Sequence, residues 1–99
     1  MAAGHTLVVP RRHVASVFDL APEEYAALWA LVAAVRARLA ASTGADGFTI
    51  GVNDGVAAGQ TVGHAHVHVI PRRAGDVGDP RGGVRWVLPE RAGYWNSSR

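Results

Sequence analysis

Cysteine is absent from the sequence, and so is lysine. Without cysteine there is no disulfide framework and no sign of secretion. Without lysine there is no lysine nucleophile and no Schiff base. All ten basic side chains are arginine, against eight carboxylates, for a net charge of +2. The arginines are dispersed along the chain rather than gathered on one segment, which speaks against a nucleic-acid partner. Two doublets, Arg11-Arg12 and Arg72-Arg73, each follow an apolar stretch that ends in proline. Such pairs are ordinary in an arginine-rich chain; the functional alternative is a basic rim that draws polyanions. Long hydrophobic runs are also missing. The longest, Tyr25 to Val35, is too short to span a bilayer. Met1-Ala2-Ala3-Gly4 has neither the charged start nor the apolar core of a signal peptide. The expectation is a soluble, cytoplasmic protein with no membrane partner. A chain of 99 residues makes one small domain, with a core from about residue 4 to 88 and a tail from 89 to 99. A domain of this size buries only somewhat more than half of its unfolded surface, so a partner subunit would help it.

What is present centres on Gly63-His64-Ala65-His66-Val67-His68-Val69-Ile70-Pro71, which holds three of the five histidines. A strand sends successive side chains to opposite faces, so His64, His66 and His68 share one face while Ala65, Val67 and Val69 turn to the core. A helix would scatter histidines at this spacing by about 200°. The valines favour a strand, and Pro71 is expected to close it. One histidine on such a strand is ordinarily a satisfied, half-buried residue. Three in register gain nothing from packing and would repel one another if charged. Two chemistries use them. Neutral imidazole binds zinc, although the carboxylates that would complete a site (Asp54, Asp76, Asp79) fall in expected loops. Neutral imidazole also attacks phosphorus and leaves readily, while its neighbours bond the phosphate or protonate the leaving group. The spacing alone does not separate the two.

The flanking residues bear on that choice. Gln60-Thr61-Val62-Gly63 leading into His64-Ala65-His66-Val67-His68-Val69-Ile70 resembles the signature of the histidine-triad (HIT) family of nucleotide hydrolases, three histidines alternating with apolar residues. Gly4-His5-Thr6-Leu7-Val8-Val9-Pro10, Val52-Asn53-Asp54-Gly55, Ala58-Gly59-Gln60-Thr61 and Pro80-Arg81-Gly82-Gly83-Val84-Arg85-Trp86 resemble the family as well, so the likeness runs from about Gly4 to Trp95. The resemblance implies that His66 is the nucleophile, that His68 bonds the phosphate and the leaving group, and that His64 and His5 orient the set. A backbone carbonyl would fix the His66 tautomer. It further implies substrate contacts from Asn53, Gln60 and Thr61, no resident metal, and a homodimer. No cofactor is required, though a divalent ion can accompany a polyphosphate substrate. Relatives using Gln where Asn53 stands have a longer arm; the bland reading of Asn53 is the start of a turn. The transferase branch carries Gln in place of the third histidine, so His68 favours hydrolysis. Typical members have further strands before the position of Gly4, strands that build part of the base and ribose pocket. The expectation is therefore a sheet lacking them, with an exposed edge.

The remaining segments read as follows. His5 to Pro10 is a strand and Arg11 to Phe18 a connection, in which His13 is solvent-facing or capping and carries no catalytic role. Pro22 to Ala41 is a helix: Pro22 suits the first position, Glu23 and Glu24 suit the N-terminal dipole, and Gly44 suits the stop. Ala21 is a poor cap. Tyr25, Leu28, Trp29, Val32, Val35 and Leu39 form one broad apolar face, part of which can serve a dimer contact. Arg36 and Arg38 are placed near the C-terminal end, as the dipole prefers. Phe48 to Asn53 is a strand, followed by a turn at Asp54-Gly55. Val56 to Gly63 is a Gly-rich loop whose amides can cradle phosphate, Gly59 and Gly63 permitting close approach. Arg72 to Gly83 is a loop and Val84 to Leu88 a short extended segment. Tyr94 and Trp95 dock the tail, and Asn96 to Arg99 fray.

The fold expected is thus α+β, an antiparallel sheet packed on one long helix. The function expected is hydrolysis of a nucleoside phosphoramidate or dinucleoside polyphosphate through a nucleotidyl-histidine intermediate. The alternatives are a nucleotide-binding or regulatory module with faded catalysis, and a zinc-site protein.

Overall fold

The computed structural model describes residues 4–81 and 83–88. The expectations for Tyr94, Trp95 and the end of the tail lie outside these residues. The elements are β1 (Thr6–Val8), α1 (Pro22–Thr43), β2 (Gly47–Gly51) and β3 (Val67–Arg72), with 3₁₀ turns at Val17–Asp19, Val56–Ala58 and Gly83–Val87. The sheet is antiparallel in the order β1-β3-β2, so the architecture is the α+β arrangement expected.

The histidine-bearing strand is central. Thr6 pairs with Val69 and Val8 with Val67 on one side; Gly47 pairs with Arg72 and Gly51 with His68 on the other. Burial alternates strictly along β3, and Ala65, Val67 and Val69 face the core as their spacing predicts. Val17, Val67 and Val69 are fully buried, and Val8, Val14, Leu28, Val32 and Ala65 complete the cluster. Each fully buried valine contributes about 1.5–3 kcal/mol. Because α1 covers this valine face, the histidine face of β3 is left on the opposite side of the sheet.

Leu28 and Val32 are the buried residues of α1; Trp29, Val35 and Leu39 pack at the margin, while Tyr25 is exposed. The start of α1 is better held than Ala21 suggests. Glu24 reaches back so that its Oε1 accepts from the Ala21 N–H at 2.9 Å, half of a capping box. Arg12 donates to both oxygens of the same carboxylate. This pairing and the Ala21 bond lower the Glu24 pKa to about 2. Gly44 ends the helix at φ 65°, a conformation costly for any residue with a Cβ.

Several expectations are corrected. The helix runs on to Thr43, so Arg36 and Arg38 lie before the last turn, beyond the reach of the terminal dipole. Arg36 instead stands over the Phe48 ring at 5.1 Å, tying α1 to β2. As a whole, α1 has the length and apolar composition of a membrane-crossing helix. The uninterrupted apolar run ends at Arg36, and the alanines beyond it extend the apolar content of the helix, but in this fold Leu28 and Val32 pack on the sheet. The strand ladders are shorter than the extended sequence: β1 ends at Val8 and β2 at Gly51. Pro71 does not close β3 but lies inside it, paired with Phe48 and buried. Pairing with β1 stops at Val69, so β3 is an edge there and the missing N–H is tolerated. Residues 84–88 are not extended. Gly83, at φ 48°, turns the chain into a 3₁₀ helix, in which Val84 and Val87 stack three apart.

Candidate functional site

The site grows from the end of β3 that faces β1. His68 is on the strand, opposite Leu7 on β1 and Gly51 on β2. His5 precedes β1 by one residue, diagonal to His68, within the reach of a long side chain. Its Nε2 meets His68 Nδ1 at 2.9 Å. His66 stands edge-on to His68 with ring centroids 5.0 Å apart. The sequence therefore places three imidazoles, His5, His68 and His66, in one continuous row.

His66 has a determined tautomer. Its Nδ1 lies 2.9 Å from the backbone oxygen of His64. A carbonyl can only accept, so Nδ1 carries the proton and Nε2 keeps its lone pair. The expected carbonyl is thus supplied by His64 itself, two residues back. That short loop explains why the ladder begins at Val67 rather than at His64: the chain bends here before it pairs.

His64 turns away from the row. Its Nε2 donates to the Pro10 carbonyl at 2.8 Å, and its ring packs on His13 at 4.8 Å between centroids. Its side chain holds the chain ahead of β3, while its main chain holds His66. His13, read from the sequence as solvent-facing or capping, is exposed and also packs against His64. No local pattern announces this, because the contact joins residues 51 positions apart.

His68 is half-buried. Burial, then the neighbouring His66 and His5, lower its pKa, so it is neutral at pH 7. Its Nε2 is enclosed without a hydrogen-bond partner among the described residues, an arrangement that costs free energy unless a ligand completes it. When His5 donates to Nδ1, Nε2 carries a proton it can give; when His68 donates, Nε2 is an acceptor.

A groove of about 770 Å³ adjoins the row, lined by His5, His68, Gly51, Asn53, Val84 and Val87 among others. Gly51, opposite His68, opens onto the groove; a Cβ there would meet nothing within 4 Å. Asn53 is exposed on the groove wall, and Thr61 is exposed on the loop before His64. Gln60 is not turned toward the imidazoles. Its Oε1 accepts from the Gly55 N–H, and its Nε2 donates to the Ala15 and Val62 carbonyls. With both N–H bonds spent inside the chain, it clamps the loop. One member of each arginine doublet is engaged in an ion pair: Arg12 with Glu24 and Arg72 with Asp76. Asp79, one of the carboxylates considered for a metal, pairs with Arg81.

The family model for the HIT domain matches residues 1–75. The chain is 45% identical over 73 residues to the asymmetrical bis(5'-nucleosyl)-tetraphosphatase of Schizosaccharomyces pombe, covering 74% of this chain and 40% of that protein. It is 42% identical over 73 residues to the bis(5'-adenosyl)-triphosphatase of Dictyostelium discoideum, covering 74% of this chain and 49% of the relative. The chain thus spans less than half the length of these curated relatives. Among solved structures, the Caenorhabditis elegans NitFhit protein superposes with a TM-score of 0.72 at 43% identity, covering 90% of this chain and 21% of that one.

Proposed function

The chain belongs to the HIT domain family, and from that premise we propose that it hydrolyses a nucleotide at its α-phosphate through a nucleotidyl-histidine intermediate. The observation that carries the reading is the bond from His66 Nδ1–H to the His64 carbonyl, which in that tautomer leaves the lone pair on Nε2. The names of its relatives, which describe hydrolysis of dinucleoside tetraphosphates and triphosphates, support the substrate class. A nucleoside phosphoramidate is the simplest other substrate of the same chemistry.

In this reading His66 Nε2 attacks the α-phosphorus, and the bond from phosphorus to the leaving oxygen or nitrogen breaks. The imidazole becomes cationic, and its Nδ1–H bond to the His64 carbonyl strengthens as that charge develops. His68 Nε2–H donates a hydrogen bond to the leaving oxygen or nitrogen, with His5 donating to Nδ1 to hold that tautomer; a nucleotide leaves as its phosphate anion, and a phosphoramidate nitrogen, protonated by water, leaves as the free amine. Water then attacks the phosphorus, its proton passes to solvent, the bond from phosphorus to His66 Nε2 breaks, and the nucleoside monophosphate departs from a regenerated His66. Thr61 and the amides of the Val56–Gly63 loop would hold the non-bridging oxygens, and Asn53 would meet the nucleotide on the groove wall. The reaction needs no metal for its nucleophile; a divalent ion would accompany a polyphosphate. The proposal includes a homodimer, checked by light scattering.

The test is turnover of adenosine 5'-phosphoramidate and of diadenosine tri- and tetraphosphates, following AMP release. Release by the wild type and its loss in His66→Ala, with nucleotide binding kept, is expected. Near-normal turnover by His66→Ala would remove the assigned nucleophile.

A further inference from the structure

The connection between β1 and α1 does more than join them. Three hydrogen bonds reach it from the segment around the triad. The His64 ring donates to the Pro10 carbonyl, the Ala65 N–H donates to the Val14 carbonyl at 2.7 Å, and the Gln60 amide donates to the Ala15 carbonyl at 2.9 Å. The middle bond has a particular geometry. The Ala65 N–H and the His64 C=O belong to one peptide group, which is planar and trans, so the two bonds point in opposite directions. Val14 holds one end of that plane and His66 Nδ1–H is bound to the other. Any tilt of the plane therefore re-aims the carbonyl that fixes the His66 ring. A donor already bonded at its N–H end is also a better acceptor at its oxygen.

What keeps the plane from tilting is the side chain of His64, held at two points. Its Nε2–H is tied to Pro10, and its ring rests against His13, with centroids 4.8 Å apart and planes at 44°. The Pro10 bond alone is a single pivot, about which the ring can still swing; the His13 ring removes that freedom. His13 is itself carried by the backbone that places Val14, which is buried in the core. The two braces on the His64–Ala65 peptide thus come from adjacent residues of one strap.

We propose that His13 is a positioning residue for the reaction: its ring braces His64 so that the His64 carbonyl holds His66 in the Nδ1–H tautomer with Nε2 aimed at the substrate. This rests on the reading of His66 as the nucleophile, but the ring-packing role is separable from turnover. His13 touches no group of the reacting row. Its contribution is the shape of a ring rather than a charge or a proton, so another aromatic ring should replace it.

The experiment compares the wild type, His13→Ala and His13→Phe in the full chain. Two readouts are used: the ring ¹⁵N spectrum of His66, which distinguishes Nδ1–H from Nε2–H without any substrate, and kcat and KM for adenosine 5'-phosphoramidate. His13 is exposed, so both variants should fold, and thermal unfolding confirms it. The expected result is a mixed His66 tautomer in His13→Ala, with kcat down about tenfold and KM within about twofold, as misaimed groups lose rate before affinity. His13→Phe should restore the wild-type tautomer and most of kcat. An unchanged His66 spectrum in His13→Ala would overturn the proposal, as would a His13→Phe variant no better than His13→Ala. Absence of turnover in the wild type, with the tautomer still shifting in His13→Ala, would refute the catalytic reading and leave the brace standing.

Discussion

Replacing Gln60 with alanine removes three hydrogen bonds at once: Gly55 N–H to Oε1 at 2.8 Å, and Nε2–H to Ala15 and to Val62, each at 2.9 Å. Neutral hydrogen bonds contribute about 1 kcal/mol each. These lie at the surface, where water takes over part of the loss, so roughly 1.5 kcal/mol in total is expected. For a domain this small, each kcal/mol moves Tm by about 4–8 °C, which gives a fall of roughly 6–12 °C. The same clamp joins the Val56–Gly63 loop to the strap that braces His64, so kcat should fall about tenfold through misplacement alone. Gln60→Glu should be at least as damaging, because it keeps the acceptor but sets a carboxylate oxygen against two carbonyls. Thermal unfolding by circular dichroism, run beside steady-state kinetics, checks both effects. An unchanged Tm with a raised KM would mean that Gln60 meets the substrate, and the clamping account would be wrong.

Further expectations follow from the same structure. Val69→Ala, at a fully buried position in the central strand, should cost about 2–3 kcal/mol in urea unfolding, from lost burial plus the cavity left behind. Gly51→Val puts a side chain into the groove across the register from His68, where a Cβ meets nothing within 4 Å; the fold should be kept while kcat/KM drops at least tenfold, a combination that equilibrium unfolding and kinetics read separately. His68 is held below its ordinary value of 6.5 chiefly by burial. Its neutral form therefore favours the folded state above that pH, and stability is lost as pH falls below 6.5 until the folded group itself protonates; a Tm-against-pH curve for His68→Gln should be flatter through this range. Glu24, lowered from 4.5 to about 2, contributes stability above pH 4.5 that is lost as pH falls toward 2. Glu24→Gln should reduce that acid slope without abolishing it, because Asp76 is lowered to about 2 as well.

The sequence made the centre of the protein legible and its supports much less so. Strict alternation from Ala65 to Val69 identified the core face and the imidazole face, because the period of a strand is a local property. The place where the ladder begins is not local. Val67 starts it because β1 is only three residues long and pairs no further, and because His66 folds back onto the His64 carbonyl. Thus His64 shares the spacing of the triad but not its row. His13 is exposed as expected, but its contact with His64, and the bond from Gln60 to Ala15, join residues 51 and 45 positions apart, and no short window marks such contacts. The helix was visible from its apolar spacing and from Pro22 and Gly44. Its N-terminal cap was not, since it comes from Glu24 and Arg12 rather than from the residue at the cap position. Val84 and Val87 read as extended by composition, whereas Gly83 decides their conformation.

The central claim is that His66 Nε2 forms a covalent bond to phosphorus. The most direct measurement is intact-protein mass after rapid acid-free quenching of a reaction with adenosine 5'-phosphoramidate, followed by mapping of any adduct. A transient gain of one adenylyl group, localised to His66 and absent from His66→Ala, is the result predicted. AMP release by the wild type with no adduct at any quench time, and with His66→Ala equally active, would contradict it.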